Sequence, residues 1–466
     1  MKVNLLSGGI TGRSVNAISQ DRYNVYVEVN TANDKTNLTI YGTPGTESIN
    51  YVPTGTILGQ YFWQKYNAHV FVTSTKVELV SITGNLIQSI SITTTGADYA
   101  ICADNGTELC VALHTSGLVV VPAYIINGAT YVATALSFGL QSVCFLDSYF
   151  IGNDQAAANL GQFRISGQYD GLTWDALDFA TAESSPDSLV RTLSTRSTLI
   201  LFGDWTIEHW YNSGDNAFPF ARMAGMTRDI GLSAIASLAK IEDMVLFLAK
   251  STIGNVFVAT LQNGTVTHVS SSELDFVINT YPNLDKATGF AYTIGGHSFY
   301  QINFDSVSWV YDINSQVWHK SISPGLTKSQ FISCSSSNIS TLVSSSSKAY
   351  AYSLNSGNEG ITPIERGFTT SHLSDTDSLG NSIISQMILD MESGEGATVN
   401  LSISRDGGHT YGNEITRLTR IAPNYAHKLC WRRLGYARDW VFKYRITGAI
   451  KLAVLGIFIE SKMNYN

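Results

Sequence analysis

Charged residues are scarce in this chain of 466 residues, and prolines and cysteines are few. Asp, Glu, Lys and Arg make up 14% of the sequence, against roughly 25% in ordinary soluble domains. With so few charged residues, surface ion pairs cannot be the main source of the stability of the fold. It favours a fold held by backbone hydrogen bonds between strands and by cross-strand side-chain pairs.

The sequence also contains no pattern that predicts disulfide bonds or insertion into a membrane. The odd number of cysteines and the lack of a Cys-x-x-Cys pair predict small buried thiols in a reducing cytoplasm. The longest strongly apolar run, Leu452–Ile459, is far shorter than the ~20 residues that a bilayer requires. Val3–Leu6 is interrupted too soon for a signal peptide. The cysteines are Cys102, Cys110, Cys144, Cys334 and Cys430.

Motifs of catalysis and cofactor binding are missing as well. The nine histidines show no metal-ligand spacing. Neither a Gly-x-Ser-x-Gly elbow nor a phosphate-binding Walker loop occurs. We therefore predict that the chain is not an enzyme, and that it has no catalytic residue, cofactor or metal site.

The net charge of −8 is unevenly distributed. Residues 401–466 hold 11 Lys+Arg and 4 Asp+Glu, a balance of +7. The first 400 residues hold 29 − 11 = 18 basic and 37 − 4 = 33 acidic residues, a balance of −15. An acidic body and a basic end predict two electrostatically different surfaces. The alternative is a solvated strand face that is basic by chance.

What the sequence does contain is the pattern of β-strands. Val, Ile, Thr, Tyr and Phe alternate with small polar residues, and Asn-Gly or Asp-Gly pairs recur between such runs. These pairs tolerate the positive φ that two-residue hairpins need. Val256–Val269, with Asn263-Gly264 at its centre, predicts one such hairpin. Ser233–Lys250 is the one segment considered for a helical turn, and its second half favours a strand.

Similar hydrophobic segments recur along the chain. Their centres, at Tyr149, Leu201, Phe247, Tyr300 and Tyr350, are 52, 46, 53 and 50 residues apart. This is the size of a four-stranded propeller blade, which must stack with its neighbours in a ring to bury both faces. We predict an all-β chain dominated by a β-propeller of about six or seven blades. An array of sandwiches is the competing architecture.

The pattern changes near residue 370. Polar, Ser-rich sequence is followed by six strand-like runs between Ile383 and Glu460, which is enough for a small β-sandwich. We therefore divide the chain into an N-terminal arm or platform segment (1–36), the β-propeller (37–370), a linker (371–382) and a C-terminal β-sandwich module (383–466).

One segment, Ser404–Tyr411, fits the hairpin known as an Asp box. In this hairpin an aspartate carboxylate binds turn N–H groups, a glycine permits the tight bend, and an aromatic residue packs beneath. We predict a structural role for it. Its residues are Ser404, Asp406, Gly407, Thr410 and Tyr411.

Asp boxes are common in sialidases, which are also propellers, and Asp170–Trp174 is a weaker copy. A sialidase-like or lectin-like, glycan-active propeller is therefore the alternative function. The Arg-Ile-Pro element typical of sialidases is missing, and Arg164–Ser166 is its nearest counterpart.

Basic and aromatic residues alternate between Trp431 and Arg445. The pattern allows two interpretations. One is a nucleic-acid surface. The other is a strand with an aromatic core face, formed by Trp440, Phe442 and Tyr444, and a basic face that binds an acidic protein. The candidate partner-binding residues are Arg432, Arg433, Arg438, Lys443 and Arg445.

Two stretches resemble a known family. The first combines Ala182–Asp187, Leu201–Gly214 and Phe218–Arg222; the second is Trp431–Phe442, and Tyr23–Asn30 is a weak third. Their content and order resemble the packaged-DNA stabilisation proteins, also called tail hubs or nozzles, of the short-tailed bacteriophages (podoviruses). The matching positions are Phe202, Gly203, Glu208, Trp210, Gly214, Arg222, Arg433, Leu434, Gly435, Arg438 and Asp439.

The resemblance implies a β-propeller protein that forms a homo-hexameric nozzle below the portal and the tail adaptor. It implies that the nozzle extends the DNA channel, retains packaged DNA, and docks the tail needle or plug and the tailspikes or fibres. Double-stranded DNA would pass without sequence-specific binding, and no membrane insertion is expected. The chain would be a virion protein assembled in the cytoplasm of the host bacterium. No catalytic residue follows from this resemblance.

Charge suggests how such a ring is arranged. Six copies carry 6 × −8 = −48, and an acidic channel wall avoids strong contacts with DNA phosphates. We therefore expect the acidic body to line the channel and the basic module to face a protein partner. The subunits should meet in a heterologous, ring-closing contact.

Overall fold

The computed structural model describes residues 3, 9–10, 12–16, 18–30, 37–117, 120–156, 160–182, 187–374, 380–392, 395–422 and 428–463. Most of its elements are β-strands joined by tight turns. The Asn263-Gly264 turn shows why this sequence forms hairpins. Its residues have φ of 49° and 72°, a conformation that Asn and Gly tolerate, and they reverse the chain between two strands as predicted.

The first four strands are β1 (Arg22–Tyr23), β2 (Val25–Val29), β3 (Leu38–Gly42) and β4 (Gly45–Ser48). The antiparallel blades follow. Blade 1 is β5–β8 (Ile57–Trp63, Ala68–Thr73, Lys76–Ser81, Leu86–Ser91) and blade 2 is β9–β12 (Tyr99–Asp104, Glu108–His114, Tyr124–Asn127, Ala133–Ala135). Blade 3 is β13–β16 (Leu140–Leu146, Tyr149–Asp154, Gln162–Ile165, Phe179–Thr181) and blade 4 is β17–β20 (Leu189–Thr195, Thr198–Gly203, Ile207–Asn212, Phe220–Arg222). Blade 5 is β21–β25 (Ile230–Leu232, Ala239–Ile241, Met244–Ser251, Val256–Gln262, Thr265–His268). Blade 6 is β26–β29 (Thr288–Ile294, His297–Asn303, Ser308–Asp312, Val317–Lys320), and blade 7 contains β30–β32 (Ser333–Ser336, Thr341–Ser344, Ala349–Ser353).

The blades close into a ring. First strands of neighbouring blades contact one another, β5 with β9, β9 with β13, β13 with β17, and β30 with β5. A cluster of apolar side chains is buried between each blade and the next. From near the start of the chain, β4 pairs with β32 and adds a fourth strand to blade 7. The main domain is therefore the predicted β-propeller, with seven blades among the described residues.

Helix is rare in the described chain. The α-helix α1 (Ser272–Ile278) follows blade 5, and its N-cap, Ser271, accepts a hydrogen bond from the N–H of Leu274. This helix was not predicted, although its buried residues Leu274 and Ile278 have helical spacing. Within Ser233–Lys250, one 3-10 turn precedes β22 and β23, as expected. The 3-10 turns among the described residues are Gln64–Tyr66, Ile235–Ser237 and Leu284–Lys286.

The remaining strands are β33 (Asn358–Glu359), β34 (Thr362–Pro363), β35 (Arg366–Thr369), β36 (Leu373–Ser374), β37 (Ser382–Met391), β38 (Thr398–Ser404), β39 (Ile415–Leu418), β40 (Leu429–Ala437), β41 (Asp439–Thr447) and β42 (Ala453–Met463). The C-terminal ones form the predicted two-sheet sandwich. One sheet has the order β2-β3-β42-β37-β40, and the other continues from blade 6 in the order β29-β1-β35-β41-β38-β39. Between the sheets, Trp440, Phe442 and Tyr444 are fully buried, which confirms the predicted aromatic core face.

Strands from the start of the chain belong to the sandwich. β2 and β3 lie in its first sheet, and β1 joins its second sheet to blade 6. The predicted boundaries after residues 36 and 370 therefore do not coincide with the sheets, because Leu38–Gly42 and Arg366–Thr369 both pair within the sandwich. Pairing between distant parts of the chain leaves no local pattern from which to predict it. Part of the predicted linker, 375–379, lies outside the described residues.

Candidate functional site

The hairpin after β38 has the geometry of an Asp box. The carboxylate of Asp406 accepts hydrogen bonds from the hydroxyl of Ser404 (2.6 Å) and from the N–H (2.9 Å) and hydroxyl (2.5 Å) of Thr410. Gly407 and Gly408 have φ of 68° and 91°, which favours glycine. The hydrogen bonds from Ser404 and Thr410 hold the pKa of Asp406 well below its usual range. This carboxylate is therefore engaged by its own turn.

The Asp-box hairpin packs against the N-terminal segment. His409 Nε2 lies 2.9 Å from Asn16 Oδ1. A Cβ atom at Gly407 would lie 2.8 Å from oxygens of both Asn16 and Asp439. Tyr411, expected to pack beneath the hairpin, is instead 37% exposed. The hairpin thus joins the sandwich to residues from the start of the chain.

His372 connects three parts of the same region. Its Nε2 lies 2.8 Å from the carbonyl oxygen of Val15, and its Nδ1 lies 2.8 Å from the carboxylate of Asp439. The N-terminal segment, the segment after β35 and the start of β41 therefore meet beside the Asp box.

The second family-like stretch contains a β-bulge. The pairing of β40 with β37 shifts register where Arg433 has φ of 60° and Gly435 has φ of 98°. Between them, Leu434 is buried in the sandwich. Arg405 of the Asp box donates a hydrogen bond to the carbonyl of Leu434 at 2.7 Å. The bulge accounts for a glycine at this position and links β40 to the Asp-box hairpin.

The first family-like stretch packs blade 4 against blade 5. Phe202 lies against Phe247 with ring centroids 5.3 Å apart. Glu208 is buried, accepts a hydrogen bond from the indole N–H of Trp210 at 2.8 Å, and lies 4.0 Å from the guanidinium of Arg222. These contacts give the matched residues a role in packing.

Glycines in that stretch permit close contacts and a turn. A Cβ at Gly203 would lie 2.5 Å from the carboxylate of Asp187, which accepts hydrogen bonds from the N–H groups of Trp205 and Thr206. Gly214 has φ of 71°. Residues 183–186 of the same stretch lie outside the described residues.

The predicted basic face is divided between the two sheets of the sandwich. Arg432 and Arg433 are exposed on β40, Arg438 is exposed in the turn that follows, and Lys443 is exposed on β41 in the opposite sheet. The prediction of one continuous face was therefore wrong. Alternation along the sequence does not reveal that the chain changes sheets at Arg438.

Arg445, the fifth predicted residue of that face, is engaged within the chain. Its guanidinium forms ion pairs with Glu365 at 3.1 Å and with Glu414. The hydrogen bond from Arg445 lowers the pKa of Glu414. Of the five predicted residues, the four exposed ones are better placed to contact a partner.

One edge of the sandwich, formed by β39 and β40, combines arginines with exposed apolar side chains; we call it the open edge. The two strands are joined where the indole N–H of Trp431 donates to the carbonyl of Ile415 at 3.2 Å. Leu418 and Ile421, 66% and 69% exposed, were not predicted as surface residues, because an alternating strand normally buries one face. The exposed arginines of the open edge are Arg417, Arg420, Arg432 and Arg433.

The central channel of the propeller is narrow. Cavities of about 410 Å³ and 340 Å³ lie among its inner strands. Arg191 reaches across from blade 4 to donate to the carbonyls of Ile235 (2.6 Å) and Leu238 (3.2 Å), and burial lowers its pKa to about 10. Cavities of this size suit small molecules. A cavity of a few hundred cubic ångströms is too small to hold a turn of DNA duplex, which is about 34 Å long.

The five cysteines are free. Cys110 and Cys144 are buried as predicted, whereas Cys102, Cys334 and Cys430 are only half-buried. Burial raises the pKa of the Cys102, Cys144 and Cys334 thiols to about 12, so these thiols are poor nucleophiles. The described residues include no group of three or more His, Cys, Asp and Glu side chains placed to hold a metal ion. Nor do they include a helix long and apolar enough to span a membrane.

Two family models match the chain in the order of its two domains. The bacteriophage P22 Gp10 β-propeller model covers residues 1–336, and the bacteriophage P22 Gp10 β-sandwich model covers residues 365–462. The chain belongs to the bacteriophage P22 Gp10 family. The resemblance to the tail nozzle, or DNA-stabilisation, proteins of podoviruses is thereby confirmed. This member of the Gp10 family is a structural protein of the phage tail and of the virion.

Other comparisons add little to the Gp10 assignment. No curated protein matches the chain. Among solved structures, the N-terminal domain of Nup159 is similar, with a TM-score of 0.42 and 8% identity over 70% of this chain and 97% of that one. A likeness this distant has no bearing on function.

Proposed function

We propose that this Gp10-family chain forms the hexameric nozzle of a short phage tail. The ring continues the DNA channel below the portal and the tail adaptor and holds the packaged DNA in place. It also binds the tail needle or plug and the tailspikes or fibres. The observation that carries the proposal is the match of both family models, in order, along most of the chain.

The dimensions of the propeller support a ring of several copies. Its own channel is reduced to cavities of a few hundred cubic ångströms, one of which is lined by the half-buried, hydrogen-bonded Arg191. A duplex therefore needs a wider path, formed between subunits around a common axis. The propeller is the wall of this path rather than the path itself.

Charge supports an orientation of the subunit within the ring. Residues 1–400 carry the net negative charge and residues 401–466 the net positive charge. An acidic wall lets DNA slide past without strong phosphate contacts. The basic sandwich faces an acidic protein surface. Arginines of the sandwich lining the bore would contradict this orientation.

Removal of the chain from the virion tests the proposed function. We expect phage grown without it to assemble heads that lose their DNA, and supply of the wild-type chain to restore filled, infectious particles. Electron micrographs of restored particles should show a six-fold ring at the tail. Particles that keep their DNA and infect without the chain would contradict the proposal.

Cleavage of glycans is the second candidate, and the Asp box first suggested it. In the structure the Asp406 carboxylate is engaged by its own turn. Arg164, at the nearest counterpart of the sialidase element, forms an ion pair with Asp154 at 2.8 Å. A fluorogenic sialoside assay separates the two functions. Turnover abolished by one Tyr or Asp substitution would favour the enzyme, and we expect none.

A further inference from the structure

The open edge of the sandwich has the properties of a surface that binds another protein. In the part of the chain that the structure describes, no strand pairs with the outer side of β39 or β40. Leu418 at the end of β39 and Ile421 just after it are exposed there, beside arginines on or next to the same two strands. An exposed strand edge with apolar side chains promotes pairing or aggregation unless it is covered. This edge therefore calls for a partner with acidic and apolar groups.

Blade 3 carries a surface with those properties. The loop between β15 and β16, residues 166–178, which we call the acidic loop, exposes Tyr169, Leu172 and Leu177 by 68%, 51% and 82%. Its acidic residues are Asp170, Asp175 and Asp178.

The charge of blade 3 is unbalanced around this loop. Residues 140–182 hold five acidic side chains and one basic side chain, Arg164. Arg164 is paired with Asp154, which leaves four carboxylates, three of them in the acidic loop. This part of the blade should attract a basic surface.

The acidic loop is held in one conformation. Gly167 donates its N–H to the carbonyl of Thr173 (2.8 Å), and the indole N–H of Trp174 donates to the carbonyl of Gly171 (2.7 Å). The N–H of Gly171 also donates to the carboxylate of Glu108 in blade 2 at 2.9 Å. A loop ordered in advance loses little conformational entropy when it binds.

The open edge and the acidic loop lie in different parts of one subunit. The sandwich continues the sheet of blade 6, and the open edge is the end of the sandwich sheets away from that junction. Blades 4 and 5 separate blade 3 from blade 6 on one side, and blades 7, 1 and 2 on the other. Contact between such surfaces on successive copies is head-to-tail, the type that closes rings.

We propose that the open edge of one subunit binds the acidic loop of the next copy of this chain. Arg420 and Arg432 meet Asp175 and Asp178, and the exposed apolar side chains pack between them. A second copy is the occupant because the chain itself presents the complementary charge and apolar surface. The inference rests on the proposed nozzle, since it identifies the contact that joins subunits in the ring.

Exchange of charges tests this contact. Arg420→Glu with Arg432→Glu, and separately Asp175→Lys with Asp178→Lys, place like charges opposite each other. Each pair should weaken self-association about tenfold or more, as measured by sedimentation velocity. The four changes together restore opposite charges, so the quadruple variant should associate nearly as tightly as the wild type.

A matched control is Lys65→Glu with Lys348→Glu, on exposed residues of blades 1 and 7. It changes the net charge as much as the arginine pair does and should leave association unchanged. Thermal unfolding midpoints confirm that each variant folds. If both charge-reversed pairs form rings as tightly as the wild type, or if the quadruple variant stays dissociated, the proposed contact is wrong. Neither result would contradict the proposed nozzle. A wild-type chain that forms no ring, in solution or in the tail, would contradict both.

Duplex DNA is the competing occupant of the open edge. Titration of the same variants with a short duplex at low salt separates the two ligands, because phosphate contacts weaken strongly as salt rises. We expect the arginine pair to change self-association and not DNA binding. If the arginine variant alone loses DNA binding and its self-association is unchanged, the inference is wrong and the open edge binds nucleic acid.

Discussion

The propeller and the sandwich bury their apolar side chains in different ways. The propeller divides them among separate clusters between neighbouring blades, such as the one around Phe202 and Phe247. The sandwich gathers Trp431, Trp440 and Tyr444 into one continuous cluster that also includes strands from the start of the chain. A defect in the propeller is therefore confined to one interface, whereas a defect in the sandwich affects the whole module.

Loss of a sandwich tryptophan should have the largest effect on stability. Trp440 is fully buried, and its indole N–H donates to the hydroxyl of Ser382 at 3.0 Å. We expect Trp440→Ala to lower the free energy of unfolding of the sandwich by about 3–5 kcal/mol. Urea unfolding followed by tryptophan fluorescence measures this change. Tyr436→Ala, at a 70% exposed position nearby, is the control and should cost less than about 0.5 kcal/mol. Equal losses of stability in Trp440→Ala and Tyr436→Ala would contradict a single shared core.

Loss of an aromatic side chain between blades should have a smaller effect. Phe202→Ala removes half of the aromatic pair between blades 4 and 5. We expect a loss of about 3 kcal/mol, at the low end for a buried Phe, because neighbouring blades can shift to fill the space. A double-mutant cycle with Phe247→Ala should give a coupling of about 0.5–1.5 kcal/mol. Coupling near zero would show that the rings do not stabilise each other.

The junction between the two regions depends on Asn24. Its side-chain amide donates to the carbonyls of Ile322 (2.7 Å) and Glu365 (2.8 Å) and accepts from the N–H of Ile322 (2.9 Å). Asn24→Ala should cost about 1–3 kcal/mol, because it leaves backbone groups unsatisfied. It should also separate the thermal transitions of propeller and sandwich in calorimetry.

Asn24→Gly is the matched control for the backbone conformation at this junction. Asn24 has φ of 55°, which glycine adopts without strain. If the side-chain hydrogen bonds matter, Asn24→Gly should be destabilised nearly as much as Asn24→Ala. Full stability of the glycine variant would assign the effect to backbone strain instead.

A change of pH should affect stability less than any of these substitutions. The propeller should lose stability at high pH and the sandwich at low pH. In blade 6, the hydrogen bond with Asp312, assisted by Glu28, raises the pKa of His297 above its ordinary 6.5. That stabilisation is fully present below pH 6.5 and is lost as the pH rises through the folded-state pKa. In the sandwich, the pKa of Asp406 lies below its ordinary 3.8, so its stabilisation is present above pH 3.8 and lost as the pH falls.

Two variants check this pH dependence. The destabilisation caused by His297→Gln should vanish in alkaline solution, and that caused by Asp406→Asn should vanish in acid. Thermal unfolding across the pH range measures both differences from the wild type. A constant difference at all pH values would show that the charges of these groups contribute nothing.

Local features of the fold were predictable from the sequence, and long-range ones were not. The Asn263-Gly264 hairpin and the six C-terminal strands follow from turn chemistry and alternation, which involve only neighbouring residues. The pairing of β4 with β32 and of β3 with β42 joins distant parts of the chain and leaves no local trace. For the same reason the change of sheet at Arg438 was missed, and with it the division of the predicted basic face.

The candidate surfaces were predicted in part. Arg432 and Arg433 were expected to be exposed, and they are. Leu418 and Ile421 became visible as surface residues only when β39 was found at the edge of its sheet. The acidic loop was noticed only as a weak Asp box, because its exposed leucines are irregularly spaced. Exposure depends on which strands are neighbours, and strand order is a property of the whole fold.

The path of DNA through the assembled tail is the most direct test of the central claim. Cryo-electron microscopy of virions should show copies of this chain in a six-fold ring, with density for the duplex on the common axis between propellers. The propeller channels should lie away from that axis and contain no DNA. Duplex density inside the channel of a single propeller, or a tail without the chain, would contradict the account.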